Sequence, residues 1–332
     1  MPCGNAIPSR DVEDFLVPVT DAMLDEARRV NAEVEAQLAN APSPHTLEPA
    51  VTRAAREAGQ GWSGPVVRSE RATTRTVAGP AGPVPVRVVL PPGAPAGVFL
   101  HIHGGGWALG AADQQDLLLV AVADILGVAT VSVDYRLAPE YPFPAGPDDC
   151  EAVAGWLVEH CAEEFGTRRL LIGGESAGAH LAALTLLRLR DHHGITGAFA
   201  AANLVFGVFD VALSPSARLW GDRNLILSTP IMEWFSSLFT PGMSDEARRD
   251  PAVSPLYARL DDMPPALFTV GTLDPLLDDS LFMAARWQAA GNRAELRVFP
   301  ECPHGFIRFP TAMTGLALDA MVGFLRQALR DP

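Results

Sequence analysis

The chain has no lysine; all 25 of its basic residues are arginine, a usage that reads as codon bias. The absence still excludes chemistry. The Gly-Lys-Ser/Thr of a P-loop, a pyridoxal Schiff base and the Ser-x-x-Lys hydrolases each need a lysine amine. Long apolar runs are missing too, because Gly, Pro or a charge interrupts every hydrophobic stretch before the roughly 20 residues of a membrane span. The opening residues, MPCGNAIPSRDVEDF, lack the basic start and apolar run of a signal peptide, so the expected location is cytoplasmic. A net charge of −14 leaves no electrostatic footprint for nucleic acid or for an anionic membrane surface. Cysteine is scarce: Cys3, Cys150, Cys161 and Cys302. Cys150 and Cys161 fall on one predicted helix, where a rise of about 1.5 Å per residue separates them by about 16 Å, too far for a disulfide. No metal-site spacing is present, and free thiols in a reducing compartment are expected.

What the chain does contain is a globular composition, 48% hydrophobic over 332 residues, enough to build one large domain with an accessory segment. Residues 11–40 alternate charged and apolar side chains at helical spacing, and a looser Pro- and Gly-containing stretch runs to about Pro65. Beyond it come short β-branched segments: PVRVVLP, GVFLHIH, VATVSVD, RRLLIGG, FAAANLVF, ALFTVG and AELRVFP. Helical stretches separate most of them, which predicts an α/β fold with a mainly parallel sheet covered on both faces. From about 210 to 260 the alternation stops. That interval instead gathers Leu219, Trp220, Ile231, Met232, Trp234, Phe235, Leu238 and Phe239. The expected organisation is an N-terminal helical cap segment, residues 1–65, and a catalytic domain, residues 66–332, with a cap insertion at about 210–260.

Two glycine-rich motifs carry the chemistry. Gly174-Glu175-Ser176-Ala177-Gly178 joins the strand-like RRLLIGG to the helix-like SAGAHLAALTLLRL. A serine at such a strand–turn–helix junction is lifted above the sheet on a strained turn, the arrangement of a hydrolase nucleophile. His103-Gly104-Gly105-Gly106-Trp107 follows the strand GVFLHIH. Bare glycine backbone can turn its N–H groups inward, so Gly104 and Gly105, with Ala177, are the expected oxyanion donors. The run is not a dinucleotide loop, because Leu109 stands where the third glycine of Gly-x-Gly-x-x-Gly belongs. His101-x-His103 lacks further ligands at metal-site spacing.

These motifs, with YRLAPEYPFPA (Tyr135–Ala145), DPAVSPLYA, GTLDPLLDD and the HGF of His304, stand in the order of a known group. From about Pro85 onward the chain resembles the hormone-sensitive-lipase-like carboxylesterases, the bacterial family IV esterases. It departs from their pattern in Glu175, where Asp is commoner, and in Ala179, where a second glycine is frequent. The resemblance implies an α/β-hydrolase fold and a carboxylesterase with a Ser-His-Asp triad, and the bulky apolar residues of the expected cap set the expected preference at short- to medium-chain acyl esters.

A serine hydroxyl needs a base held by an acid. His304, just after the last strand, is the expected base. His103 reads as an anchor of the glycine loop, His180 as a packed side chain, and His45, His160, His192 and His193 as surface or helix-end residues. Asp274 follows the strand ALFTVG and is the expected acid, matching the aspartate before proline in the family. Asp278 and Asp279, a turn later, read as capping or solvated charges. Trp107, Tyr135, Trp234 and Phe235 are candidate substrate-pocket residues, and Cys302 a thiol near the base. No cofactor or metal is expected. The expected partner is a small-molecule ester, with no nucleic acid and no stable membrane insertion; the sequence leaves a homodimer open. The same triad serves amidases, lactonases and thioesterases, and a non-catalytic ligand-binding relative is the remaining alternative.

Overall fold

A computed structural model describes residues 15–60 and 64–330. Its centre is an eight-stranded sheet: β1 (Ala72–Gly79), β2 (Gly82–Val89), β3 (Val98–Ile102), β4 (Ala129–Val133), β5 (Leu170–Glu175), β6 (Phe199–Val205), β7 (Ala266–Leu273) and β8 (Ala294–Pro303). The spatial order is β1-β2-β4-β3-β5-β6-β7-β8. β2 is antiparallel to both β1 and β4, and every other pairing is parallel. The apolar segments read from sequence correspond to β2 through β8.

β1 was not legible. ATTRTVAG exposes most of its side chains and buries Ala72 and Val77, so its apolar signal is two residues deep. It forms only because the hairpin at Gly79 and Gly82 folds it onto β2. Continuous burial in β3, β4 and β5 explains why those strands lack alternation: helices cover both faces.

The helices are α1 (Asp21–Ala39), α2 (Pro49–Glu57), α3 (Asp116–Leu126), α4 (Ala145–Phe165), α5 (Ala177–His193), α6 (Pro215–Leu219), α7 (Thr229–Phe239), α8 (Asp245–Arg248), α9 (Leu277–Ala289) and α10 (Ala312–Arg330). Along β3, Val98, Leu100 and Ile102 join the core shared with α4, α5 and α7. Phe99 points to the opposite core, which α10 completes with Phe324 and Leu325. The expected first helix is shorter than its pattern. It begins at Asp21, where the Thr20 hydroxyl accepts from Met23 N–H at 3.4 Å, and residues 11–14 lie outside the described residues.

Between β6 and β7, residues 210–260 form α6, α7 and α8 and no strand of the sheet, as the sequence predicts. The apolar cluster there is less uniform than expected. Ile231, Met232, Phe235 and Phe239 are buried, but Leu219 is 85% exposed and Trp220 is half-buried, its indole N–H bonded to the Arg223 carbonyl. α2 braces the chain beside the glycine loop, its Arg53 donating to the carbonyls of Ala108 and Ala138 at 2.7 Å each.

Candidate active site

Ser176 sits between β5 and α5 with φ 58° and ψ −122°, a conformation few side-chain-bearing residues adopt. Its own N–H is held by the Val205 carbonyl at 2.9 Å. Close approach of the two backbones demands a small neighbour. A Cβ on Gly178 would be driven into the Ile102 carbonyl, so the motif's last glycine is a packing requirement. Ala177 opens α5, where the first backbone N–H groups have no partner inside the helix.

The carboxyl edge of the sheet brings the other two residues to the serine. Asp274 follows β7 and His304 follows β8, and both are buried. His304 Nδ1 lies 2.8 Å from Asp274 Oδ2, and His304 Nε2 lies 3.0 Å from Ser176 Oγ. An ionised carboxylate only accepts, so Nδ1 carries the proton and Nε2 presents its lone pair to the serine hydroxyl. Asp274 is itself oriented, its Oδ1 accepting from Leu276 N–H at 2.9 Å. Phe206 packs edge-on to the imidazole at 4.7 Å.

The glycine loop faces this array. Gly105 has φ +126°, and a Cβ there would collide with the Leu109 carbonyl. His103 fixes the loop's direction. Its Nδ1 donates to the Gly104 carbonyl at 2.9 Å, and because C=O and N–H point opposite ways across a trans peptide, the Gly105 N–H is turned the other way. Tyr135 stacks on His103 at 4.3 Å and its hydroxyl donates to the His103 carbonyl. Tyr135 is therefore a buttress behind the loop and not a wall of the pocket, contrary to the expectation from sequence.

Burial pushes the His103 imidazole down to about 4, against the pull of its Gly104 bond. His180 behaves alike. Burial lowers it to about 4, its Nε2 donates to the Val253 carbonyl at 2.7 Å, and its Nδ1 accepts from the Trp107 indole at 3.0 Å. Below the ordinary pKa of 6.5 the unfolded chain takes up protons that these buried rings refuse. Stability should therefore fall as pH drops from 6.5 toward 4, by up to about 1.4 kcal/mol per pH unit for each ring. Melting curves at pH 7 and pH 5 check this; equal midpoints would contradict it.

Glu175, beside Ser176, faces His101 at 3.1 Å, while His101 Nδ1 meets the Ser132 hydroxyl at 2.9 Å. Burial pulls the Glu175 carboxyl upward, but His101, Arg308 and His103 together outweigh it and hold the group below its usual range. Cys302 is buried, its thiol pushed up to about 12 by burial and then by Glu301, so it is no reactive reporter on the base.

Against Ser176 lies a narrow cavity of about 30 Å³, lined among others by Trp107, Asp210, Leu213, Met232, Phe235 and Leu276. Trp107 and Phe235, candidates from the sequence, are both on its wall. Trp234 does not: it is half-buried and packs on Phe235 at 4.9 Å, one layer out. Asp279, expected to be capping or solvated, is fully buried, and its Oδ1 accepts from the N–H groups of Phe209 (2.6 Å) and Asp210 (2.8 Å). Burial raises its carboxyl to about 7 despite those bonds. Asp279 thus anchors the chain leaving β6 toward the cavity wall. A start of α9 that is packed against α6 explains what spacing could not indicate. Asp278 accepts from Ser216 N–H at 2.8 Å, away from His304.

Elsewhere, Glu151 meets His192 Nδ1 and His193 Nε2 at 2.8 Å each. Arg188, 3.0 Å from the same carboxylate, already supplies a cation there. Among the described residues no helix is long and apolar enough to cross a membrane.

Comparison with known proteins identifies the family. Residues 99–308 match a family model described as the alpha/beta hydrolase fold. The chain is 36% identical over 242 residues to the carboxylic ester hydrolase LipN of Mycobacterium tuberculosis, covering 71% of this chain and 64% of that protein. It is 35% identical over 239 residues to the carboxylesterase NlhH of the same species, covering 70% and 74%. Among solved structures, a hormone-sensitive lipase from a metagenome library superposes with a TM-score of 0.79 at 27% identity, covering 91% of this chain and 98% of that one.

Proposed function

Because this chain belongs to the α/β-hydrolase fold family, within its hormone-sensitive-lipase-like carboxylesterases, we propose that it hydrolyses carboxylic esters with Ser176 as nucleophile. The observation that carries this reading is the relay of 3.0 Å and 2.8 Å from Ser176 through His304 to Asp274. Ser176 Oγ attacks the ester carbonyl as His304 Nε2 takes its proton; the imidazolium then delivers that proton to the leaving alcohol. A water molecule repeats the sequence on the acyl-enzyme and frees the acid. Asp274 holds the imidazole in the required tautomer. The N–H groups of Gly104, Gly105 and Ala177 stabilise the oxyanion, a service worth about 3 kcal/mol of barrier per donor.

The acyl group is short to medium in length. Trp107, Met232 and Phe235 line a cavity with room for a few heavy atoms, and further methylenes must displace packed side chains. Helices α1 and α2 with residues 210–260 act as the cap over this site. Small-molecule esters are the partners, and the proposed compartment is the cytoplasm, in keeping with the free thiols of Cys150, Cys161 and Cys302. Turnover of matched acetyl ester, amide and thioester tests the reaction class; faster amide or thioester cleavage would move the assignment to another acyl transfer.

Phe235→Ala should shift the optimum of a p-nitrophenyl ester series toward longer acyl chains, each extra buried methylene adding about 0.8 kcal/mol of binding. Trp234→Ala, one layer out, should move it less. An unchanged profile in the Phe235 variant would place the acyl group elsewhere.

A further inference from the structure

Three residues before His304, Glu301 has φ +56°, in the left-handed region, although it carries a side chain. Its backbone is tied on both sides. The Glu301 N–H donates to Thr272 Oγ1 at 2.9 Å, and its carbonyl accepts from Asn31 Nδ2 at 2.8 Å. Its carboxylate takes Arg28 Nη2 at 3.1 Å. Asn31 and Arg28 lie on α1, which packs against β8. Thr272 lies two residues before Asp274. The strand ends that carry the acid and the base are thus joined at the Thr272–Glu301 bond, and α1 is fastened to that joint.

Asn31 itself is 4% exposed, and its Oδ1 is buried without a hydrogen-bond partner among the described residues. An apolar residue would fill that position without an orphaned oxygen. What the carboxamide adds is the one bond to Glu301. Strained backbone persists where surrounding contacts over-determine it, and irregular strand ends beside active sites re-aim the side chains that follow.

We propose that Asn31 and Glu301 are positioning residues for His304, through which helix α1 sets the reach of the imidazole toward Ser176. The proposal rests on the triad reading given above. Neither residue touches substrate: Asn31 holds the Glu301 carbonyl, the held peptide fixes the direction of the chain through Cys302 and Pro303, and that direction places the ring.

The test is steady-state hydrolysis of p-nitrophenyl acetate by the full chain, with competent sites counted by a fluorophosphonate. Wild type must be active and Ser176→Ala inactive; if either fails, the triad reading falls and not merely this inference. Given that control, Asn31→Leu, which keeps the volume and removes the donor, should lower kcat roughly ten- to a hundredfold with KM within about twofold, as a misplaced catalytic group does. Glu301→Gly accepts a left-handed φ and keeps the carbonyl, so its kcat should stay near wild type. Glu301→Val, which disfavours that φ, should fall with Asn31→Leu; if it does not fold, the Leu and Gly variants still decide. Wild-type kcat in Asn31→Leu, or a loss in Glu301→Gly as deep as in Asn31→Leu, overturns the proposal.

Discussion

Ser176→Ala is expected to lower kcat for ester hydrolysis roughly a millionfold, because a triad that loses its nucleophile retains only the contributions of binding and the oxyanion donors. The fold should survive the change. Among the described residues Ser176 Oγ bonds to His304 and to no core group, while the strained turn is held by backbone bonds to Val205 and from Ala179 and His180. Alanine at φ 58° bears the same Cβ as serine, so melting temperature should remain near that of wild type. Turnover above about a thousandth of the wild-type rate would mean that a group other than Ser176 carries the chemistry.

The second large effect separates the base from the acid. His304→Ala should be nearly as damaging as loss of the serine, since the two act as one unit. Asp274→Asn should cost roughly ten-thousandfold, because an amide in place of the carboxylate favours the wrong imidazole tautomer. Asp278→Asn should be close to neutral at the chemical step, its carboxylate being committed to Ser216 N–H. Single-turnover acylation rates for the four proteins place them in that order. An Asp278 variant slower than the Asp274 variant would mean that the acid has been misassigned.

The turn that carries Ser176 and the glycine loop were legible in the sequence because each demands a local backbone that only certain residues permit. Ser176 stands between glycines forced by close backbone approach, and Gly105 occupies a φ that a side chain would resist. His304 and Asp274 were legible more indirectly, as the polar residues standing just beyond two apolar strands. The parallel sheet then brings those strand ends together.

What sequence could not supply was the depth of residues that share a chemical type. Tyr135 and Trp107 are both aromatic residues near the glycine loop, yet one buttresses His103 from behind and the other lines the cavity. Trp234 and Phe235 are adjacent on α7, and helical rotation alone sends only Phe235 inward. Asp278 and Asp279 differ in the same way: the first reaches α6, while the second is buried beneath the chain leaving β6. Glu301 carried no signal at all, because its role lies in backbone conformation and in a partner 270 residues away on α1.

The most direct test of the central claim is covalent. A fluorophosphonate should add once per chain, with peptide mapping placing the adduct on Ser176, and a short-chain ester such as p-nitrophenyl butyrate should slow the labelling in competition. Ser176→Ala should remain unlabelled. An adduct on any other residue, or undiminished ester hydrolysis by the fully labelled protein, would contradict the account.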